Sequence, residues 1–176
     1  TFLGAHAVPS EFKGNKKAYI DLVINEMLPK ITKEKLADYI DVFCENGYFS
    51  ADETKQILEA GLKHGLTPKL HAEQLSHSNG IKTAIECKAI SVDHLEFCND
   101  NDIALLKNSK TMPTILPGGA FFLSLPLPPA RKMIDAGLAI ALASDYNPGS
   151  SPSGNMSLMI SLGCIQYKLN PAEVIN

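Results

Sequence analysis

Leu138-Ala139-Ile140-Ala141-Leu142-Ala143-Ser144-Asp145-Tyr146-Asn147-Pro148-Gly149-Ser150-Ser151-Pro152 is the stretch on which the fold turns. Its opening run is apolar without interruption, which predicts a strand covered on both faces rather than one with a wet side. A carboxylate follows, and then residues suited to turns. An apolar strand that delivers a charged side chain into a polar loop is the pattern of parallel α/β folds. In those folds the working residues gather at the carboxyl ends of the strands.

Outward from this stretch the same grammar recurs. Strands are predicted over 2–7, 39–44, 67–71, 89–94, 111–116 and 138–144, with Pro113 a blemish in the fifth. Helical periodicity fills the gaps. Tyr19, Leu22, Val23 and Met27 share a face of a helix near 15–31. Ser50 and Glu53 form a capping box, Ile57, Leu58, Gly61 and Leu62 follow as an inward face, and Gly65 supplies the stop. Further helices are predicted over 78–87, 100–108, 128–136 and 153–167, with Asp100 as a cap and Gly137 as an end. Pro117-Gly118-Gly119 reads as a plain turn. A strand and a helix thus recur about every 30 residues, the size of a βα unit. Such alternation gives a parallel sheet with helical crossovers, either doubly wound or a (β/α)8 barrel. No GxGxxG or P-loop opens any helix.

The bulk numbers exclude rather than select. The chain has 176 residues, 45% apolar and 20% charged, as expected for one globular domain. A net charge of −3 argues against a nucleic-acid or membrane-surface partner. No segment is apolar enough to span a bilayer, and no secretory leader is expected from the first residues. Cys44, Cys87, Cys98 and Cys164 form no CxxC pair and read as reduced thiols of a cytoplasmic protein. Thr1 opens the chain almost inside a strand, while Asn170, Pro171 and Glu173 begin a helix close to the last residue. Both ends are therefore expected to be cut from a longer protein.

The strand ends favour the barrel. His6, His71 and His94 fall at three of them, and Asp145 ends the last; His64 and His77 fall on helix or loop surface. One strand-end histidine would mean little, because a buried imidazole usually finds a backbone carbonyl. Three of them plus an aspartate predict a shared mouth. Neutral imidazole and carboxylate suit zinc or iron with a coordination position left for water. His71 and Asp145 are the expected metal ligands, fewer than a usual catalytic set. The loop after Asp145 is expected to bind a carboxylate or phosphate through backbone N–H groups.

The segments Phe2-Leu3-Gly4-Ala5-His6-Ala7-Val8-Pro9, Asp41-Val42-Phe43-Cys44-Glu45, Lys69-Leu70-His71-Ala72-Glu73-Gln74, Asp93-His94-Leu95 and Ser144-Asp145-Tyr146-Asn147-Pro148-Gly149-Ser150 closely resemble the imidazolonepropionase family of the amidohydrolase superfamily. The resemblance runs in order along the whole chain. It implies an α/β, TIM-type (β/α)8 barrel of which strands three to eight are present. Residues 1–176 would then be a partial catalytic domain, with the first two strands and a flanking β domain outside it. The activity implied is metal-dependent hydrolysis of the cyclic amide of 4-imidazolone-5-propanoate to N-formimino-L-glutamate, in histidine degradation. By the same resemblance His71 and Asp145 bind one zinc or iron ion, and His94 and Asp145 are catalytic. His6, Gln74, Asn147, Gly149 and Ser150 are then substrate contacts. A homodimer is expected of the full-length protein, with a small-molecule substrate as its partner. The family's His-x-His pair and the Arg and Tyr on the propionate side have no counterpart in this sequence. Gln74 stands where some members carry Glu, and an amide cannot serve as a general base. A deaminase on the same scaffold, or a non-catalytic α/β binding module, are the competing readings.

Overall fold

The computed structural model describes residues 1–175. Six strands, β1 (Phe2–Ala5), β2 (Tyr39–Cys44), β3 (Thr67–Ala72), β4 (Ser91–His94), β5 (Met112–Ile115) and β6 (Ala141–Leu142), form one sheet. Every pair is parallel and the spatial order is the chain order, β1-β2-β3-β4-β5-β6. That order separates the two candidate folds. A doubly wound sheet reverses its strand order and so places helices on both faces. A sheet that always advances to the same side, through right-handed crossovers, places them on one face, as a barrel does.

The helices between the strands follow from local signals. α1 (Lys16–Leu22) runs through a π-helical stretch, Val23–Met27, into α2 (Leu28–Lys33). Pro29 explains the stretch: it has no N–H to bond residue 25, so the chain widens by one residue there. α3 (Ala51–Lys63) opens on the predicted capping box, with Ser50 Oγ accepting from Glu53 N–H and Glu53 accepting from Ser50 N–H. It closes where Gly65 takes φ +80°. α4 (Gly80–Glu86), α5 (Asp100–Lys107), α6 (Pro117–Leu123), α7 (Ala130–Asp135), α8 (Met156–Ile165) and α9 (Pro171–Ile175) follow. Asn99 rather than Asp100 caps α5, with Asp102 completing a capping box. Pro117-Gly118-Gly119 is no plain turn but the first turn of α6, where Pro117 presets the helical φ.

Ser50→Ala is expected to cost about 1 kcal/mol, read as a lower urea midpoint with an unchanged slope. Burial would raise the Glu53 carboxyl, but its bonds to Lys16 and Ser50 outweigh that and hold it below its usual value. Its stabilising contribution is therefore complete at neutral pH. The penalty of Glu53→Gln should shrink as acid protonates the carboxylate, below about pH 4.

The two faces of the sheet differ. Ile40, Val42, Cys44, Leu70, Ala72, Val92 and Ile115 lie on one face and are fully buried in the core. The core also takes in Ile57 and Leu58 of α3, Ile81 and Ala84 of α4, Ile103 and Leu106 of α5, and Met133 of α7. α3 sits so close that a Cβ on Gly61 would lie 2.7 Å from Ile40 Cγ2. Leu62, predicted to face inward, is 42% exposed instead. The opposite face carries Asp41 and Phe43, then Lys69 and His71, then Asp93 and Thr114, in register across β2 to β5. Lys69, Phe43 and His71 there are only half-buried. Within this chain the apolar packing lies on one face of the sheet. Its second face is a charged one.

β2 has its predicted bounds and β3 runs one residue further; β1, β4, β5 and above all β6, which pairs on one side only, are shorter than predicted. Pro113 is tolerated because of alternation. Met112 N–H bonds Ile90 on the β4 side, so the proline nitrogen faces β6, whose pairing starts one residue later at Thr114↔Ala141.

Candidate active site

The sheet carries its strand ends to one edge, and the predicted residues meet there. His6 follows β1, His71 is next to last in β3, His94 ends β4, and Asp145 follows β6. The His6 and His71 ring centroids are 4.8 Å apart, and those of His71 and His94 are 5.3 Å apart. His94 Nε2 lies 4.0 Å from Asp145 Oδ2. His71, His94 and Asp145 each offer one atom within 4.8 Å of the others'.

Asp41, deep in β2 and 1% exposed, ties two of the histidines together. Its Oδ1 accepts from His71 Nδ1 at 2.8 Å and from His6 Nε2 at 3.2 Å. Burial alone would raise this carboxyl, but the two imidazole hydrogen bonds hold it well below the carboxylate range. On the partner side, burial would lower His71, and Asp41 more than offsets that. With Nδ1–H given to Asp41, His71 turns Nε2 toward His94 and Asp145. A carboxylate behind an imidazole in this way is the usual outer support of a metal-binding histidine. His6, Asp41 and His71 also cluster closely enough to suggest a metal set. The distances from both rings to the single oxygen are those of hydrogen bonds, however, and Asp41 is occupied by them. His94 is different: burial, with His71 beside it, pushes its pKa down to about 4. It is a neutral imidazole at neutral pH.

The backbone is strained at this edge. Glu73 (φ 58°), His94 (φ 87°), Leu95 (φ 75°) and Asp145 (φ 50°) all take left-handed conformations that non-glycine residues seldom adopt. Strain of this kind persists where the surroundings over-determine it, and it clusters at functional sites.

Asp145 opens the loop that carries the remaining predicted contacts. Asn147 Oδ1 accepts from the N–H groups of Gly149 and Ser150, and its Nδ2 donates to Asp145 O and Ser150 Oγ. The side chain of Asn147 therefore shapes the loop. The Gly149 and Ser150 N–H groups, expected to be free for an anion, are taken by it. Ser150 Oγ also reaches Asp145 Oδ2 at 3.4 Å. α6 presses against this loop: a Cβ on Gly118 would lie 2.5 Å from Ser151 Oγ. Gln74 is 7% exposed, and its N–H donates to Glu45 Oε2 at 2.9 Å.

Sequence reading passed over Asp41, Glu45, Glu73 and Glu96, all at most 5% exposed. Glu45 accepts from Gln74 N–H, Leu75 N–H and the Ser76 hydroxyl, and so fixes the loop after β3. Glu73 accepts from the N–H groups of Ser78 and Gly80. The one available signal was Asp41, a lone charge inside an otherwise apolar strand. His77 bonds Asp102 and Asn99 at the start of α5 and takes no part in this cluster.

No protein-family model matches the chain. It is 57% identical over 176 residues to an imidazolonepropionase of Christiangramia forsetii and 58% identical to that of Flavobacterium psychrophilum, covering 100% of this chain and 43% of each relative. An imidazolonepropionase of Brevibacillus brevis is 45% identical over 175 residues, covering 99% of this chain and 41% of the relative. Among solved structures, a guanine deaminase from C. acetobutylicum superposes with a TM-score of 0.69 at 15% identity, over 97% of this chain and 48% of that one. An amidohydrolase from an environmental sample of the Sargasso sea gives 0.67 at 16% identity, over 98% and 43%. An adenosine deaminase from Xanthomonas campestris with bound zinc gives 0.63 at 10% identity, over 81% and 36%. These likenesses show the fold alone, a parallel sheet with helical crossovers that those structures share. The chain spans 43% of the length of its first curated relatives, and over all of its own length it is similar to imidazolonepropionases.

Proposed function

We propose that this chain supplies half of the active site of a metal-dependent hydrolase that opens the ring amide of 4-imidazolone-5-propanoate, giving N-formimino-L-glutamate in histidine degradation. The observation that carries the chemistry is the convergence of His71, His94 and Asp145 at one edge of the sheet. The continuous likeness to imidazolonepropionases supports the choice of substrate.

His71 and Asp145 are the residues to hold one zinc or iron ion, and the donor set fits: a half-buried imidazole with an outer carboxylate, and a carboxylate beside it. A bound ion would supply Lewis-acid chemistry, lowering the pKa of water and polarising a carbonyl. Water adds across the amide, so that a C–O bond forms and the ring C–N bond breaks. Asp145 takes the proton that the attacking water releases and passes it to the departing ring nitrogen. His94, neutral at working pH, donates to the carbonyl oxygen as negative charge builds there. Gln74 can hydrogen-bond substrate but cannot take a proton. His6, Gln74 and the Asn147-Pro148-Gly149-Ser150 loop hold the substrate in place. Among the described residues no helix is long and apolar enough to cross a membrane. A cytoplasmic homodimer with no nucleic-acid partner completes the proposal.

The full-length protein should carry about one equivalent of zinc or iron, measured by elemental analysis. It should also consume imidazolone propionate, followed by the loss of its ultraviolet absorbance. Metal without turnover would leave the site but remove the substrate, pointing to a deaminase or another cyclic amidase. Neither metal nor turnover would overturn both halves of the reading.

A further inference from the structure

Behind His94 lies the carboxyl group of Glu96. The Glu96 side chain is 0% exposed, and among the described residues neither of its oxygens has a hydrogen-bond partner. His94 Nδ1 is also buried and also without a partner. The two face one another, with Glu96 Oε1 3.6 Å from His94 Nδ1. The strained turn of His94 and Leu95 brings them there, and Leu95 N–H to Ala72 O and Phe97 N–H to Glu73 O pin that turn to the end of β3. An unpaired buried carboxyl is strongly disfavoured when ionised. A fold that keeps one beside an equally unpaired imidazole nitrogen has built a pair.

We propose that Glu96 positions His94: its carboxyl group donates a hydrogen bond to Nδ1 and thereby fixes the single proton of the neutral imidazole on Nε2. The direction follows from what surrounds the ring. On the Nε2 side stands the Asp145 carboxylate, 4.0 Å away, which can only accept. A hydrogen on Nε2 is the one that this carboxylate favours; Nδ1 then presents its lone pair, and the group facing Nδ1 is the donor. Only a protonated carboxyl can do that. The neighbours favour this form: burial first, then the charges of Asp145 and Glu45, push the Glu96 pKa up to about 8. The other titratable groups around the pair are His71, Asp93 and Asp41, on the far side of the His94 ring, and Tyr167, whose hydroxyl is buried and likewise has no partner. The device resembles the neutral acids that other enzymes bury to hold a donor at pH 7. Glu96 is a positioning residue here, since it reaches the substrate only through His94.

The inference rests on the proposed role of His94 but is tested apart from turnover. In the full-length, zinc-loaded protein at neutral pH, ¹⁵N NMR of the imidazoles should show His94 as the Nε2–H tautomer. Glu96→Gln, whose amide N–H can still donate to Nδ1, should keep that tautomer and most of the activity. Glu96→Leu should give a mixed or inverted tautomer. Its kcat should fall about 100-fold, the low end of what a positioned acid–base group contributes, with KM nearly unchanged. A wild-type His94 protonated on Nδ1 would overturn the proposal, as would a Glu96→Leu protein with unchanged tautomer and kcat. If Glu96→Leu fails to fold, the wild-type and Glu96→Gln spectra still decide. A correct tautomer in a protein that ignores imidazolone propionate would uphold this inference while refuting the substrate.

Discussion

Asp145→Asn in the full-length protein should lower hydrolysis of imidazolone propionate by on the order of 10³-fold or more, the rate equivalent of the several kcal/mol that a metal centre supplies. The substitution is nearly isosteric. Asparagine tolerates the left-handed backbone that Asp145 adopts at φ 50°, and its side-chain oxygen can still accept from Ser150 Oγ. The neutral amide is a weak metal ligand and cannot take a proton from water. Folding should therefore survive while metal content and kcat fall together. Elemental analysis, turnover and a thermal melt separate these effects. Activity within tenfold of the parent would show that Asp145 is neither ligand nor proton acceptor.

Asp41→Ala should act through structure and metal at once. The carboxylate is buried and accepts from two imidazoles, so its removal leaves two donors without partners. A hydrogen bond to a charged group contributes about 1.5–3 kcal/mol. The His6 bond is longer and its ring is 28% exposed, so a total near 3 kcal/mol is expected. His71 would also lose the partner that sets its tautomer, and zinc affinity should fall about 10–100-fold. Urea unfolding of the metal-free protein gives the first quantity and a competing chelator the second. A loss below about 0.5 kcal/mol, within the range of an ordinary surface change, with unaltered zinc affinity, would remove Asp41 from its place behind the site.

Particular residues show how far sequence reading reached. Strand-end position alone brought His6, His71, His94 and Asp145 forward, and the four share one edge of the sheet. Their grouping was legible because parallel strands must deliver their last residues to the same side. The capping boxes of Ser50 and of Asn170 with Glu173 were legible because they are local, each closed within a few residues. Asp41 was not. Its importance lies in two hydrogen bonds that span 35 and 30 residues of chain, and no local pattern encodes them. Glu45 was missed for the same reason, its partners lying about thirty residues onward after β3. Pro117-Gly118-Gly119 misled because turn-forming residues also open helices, and the choice was made by packing of α6 against Ser151 and Met159.

By itself, then, the sequence determined the alternation of strands and helices, the parallel sheet, and which side chains would stand at the strand ends. Periodicity and caps act over one or two turns, and chain direction does the rest. Tertiary structure alone decided that the second face of the sheet is charged, and that Asp41 joins His6 to His71. It also placed Glu96, unpaired, behind His94. Those outcomes depend on register between strands and on which polar groups find partners once water is excluded. Both are settled only when distant segments meet.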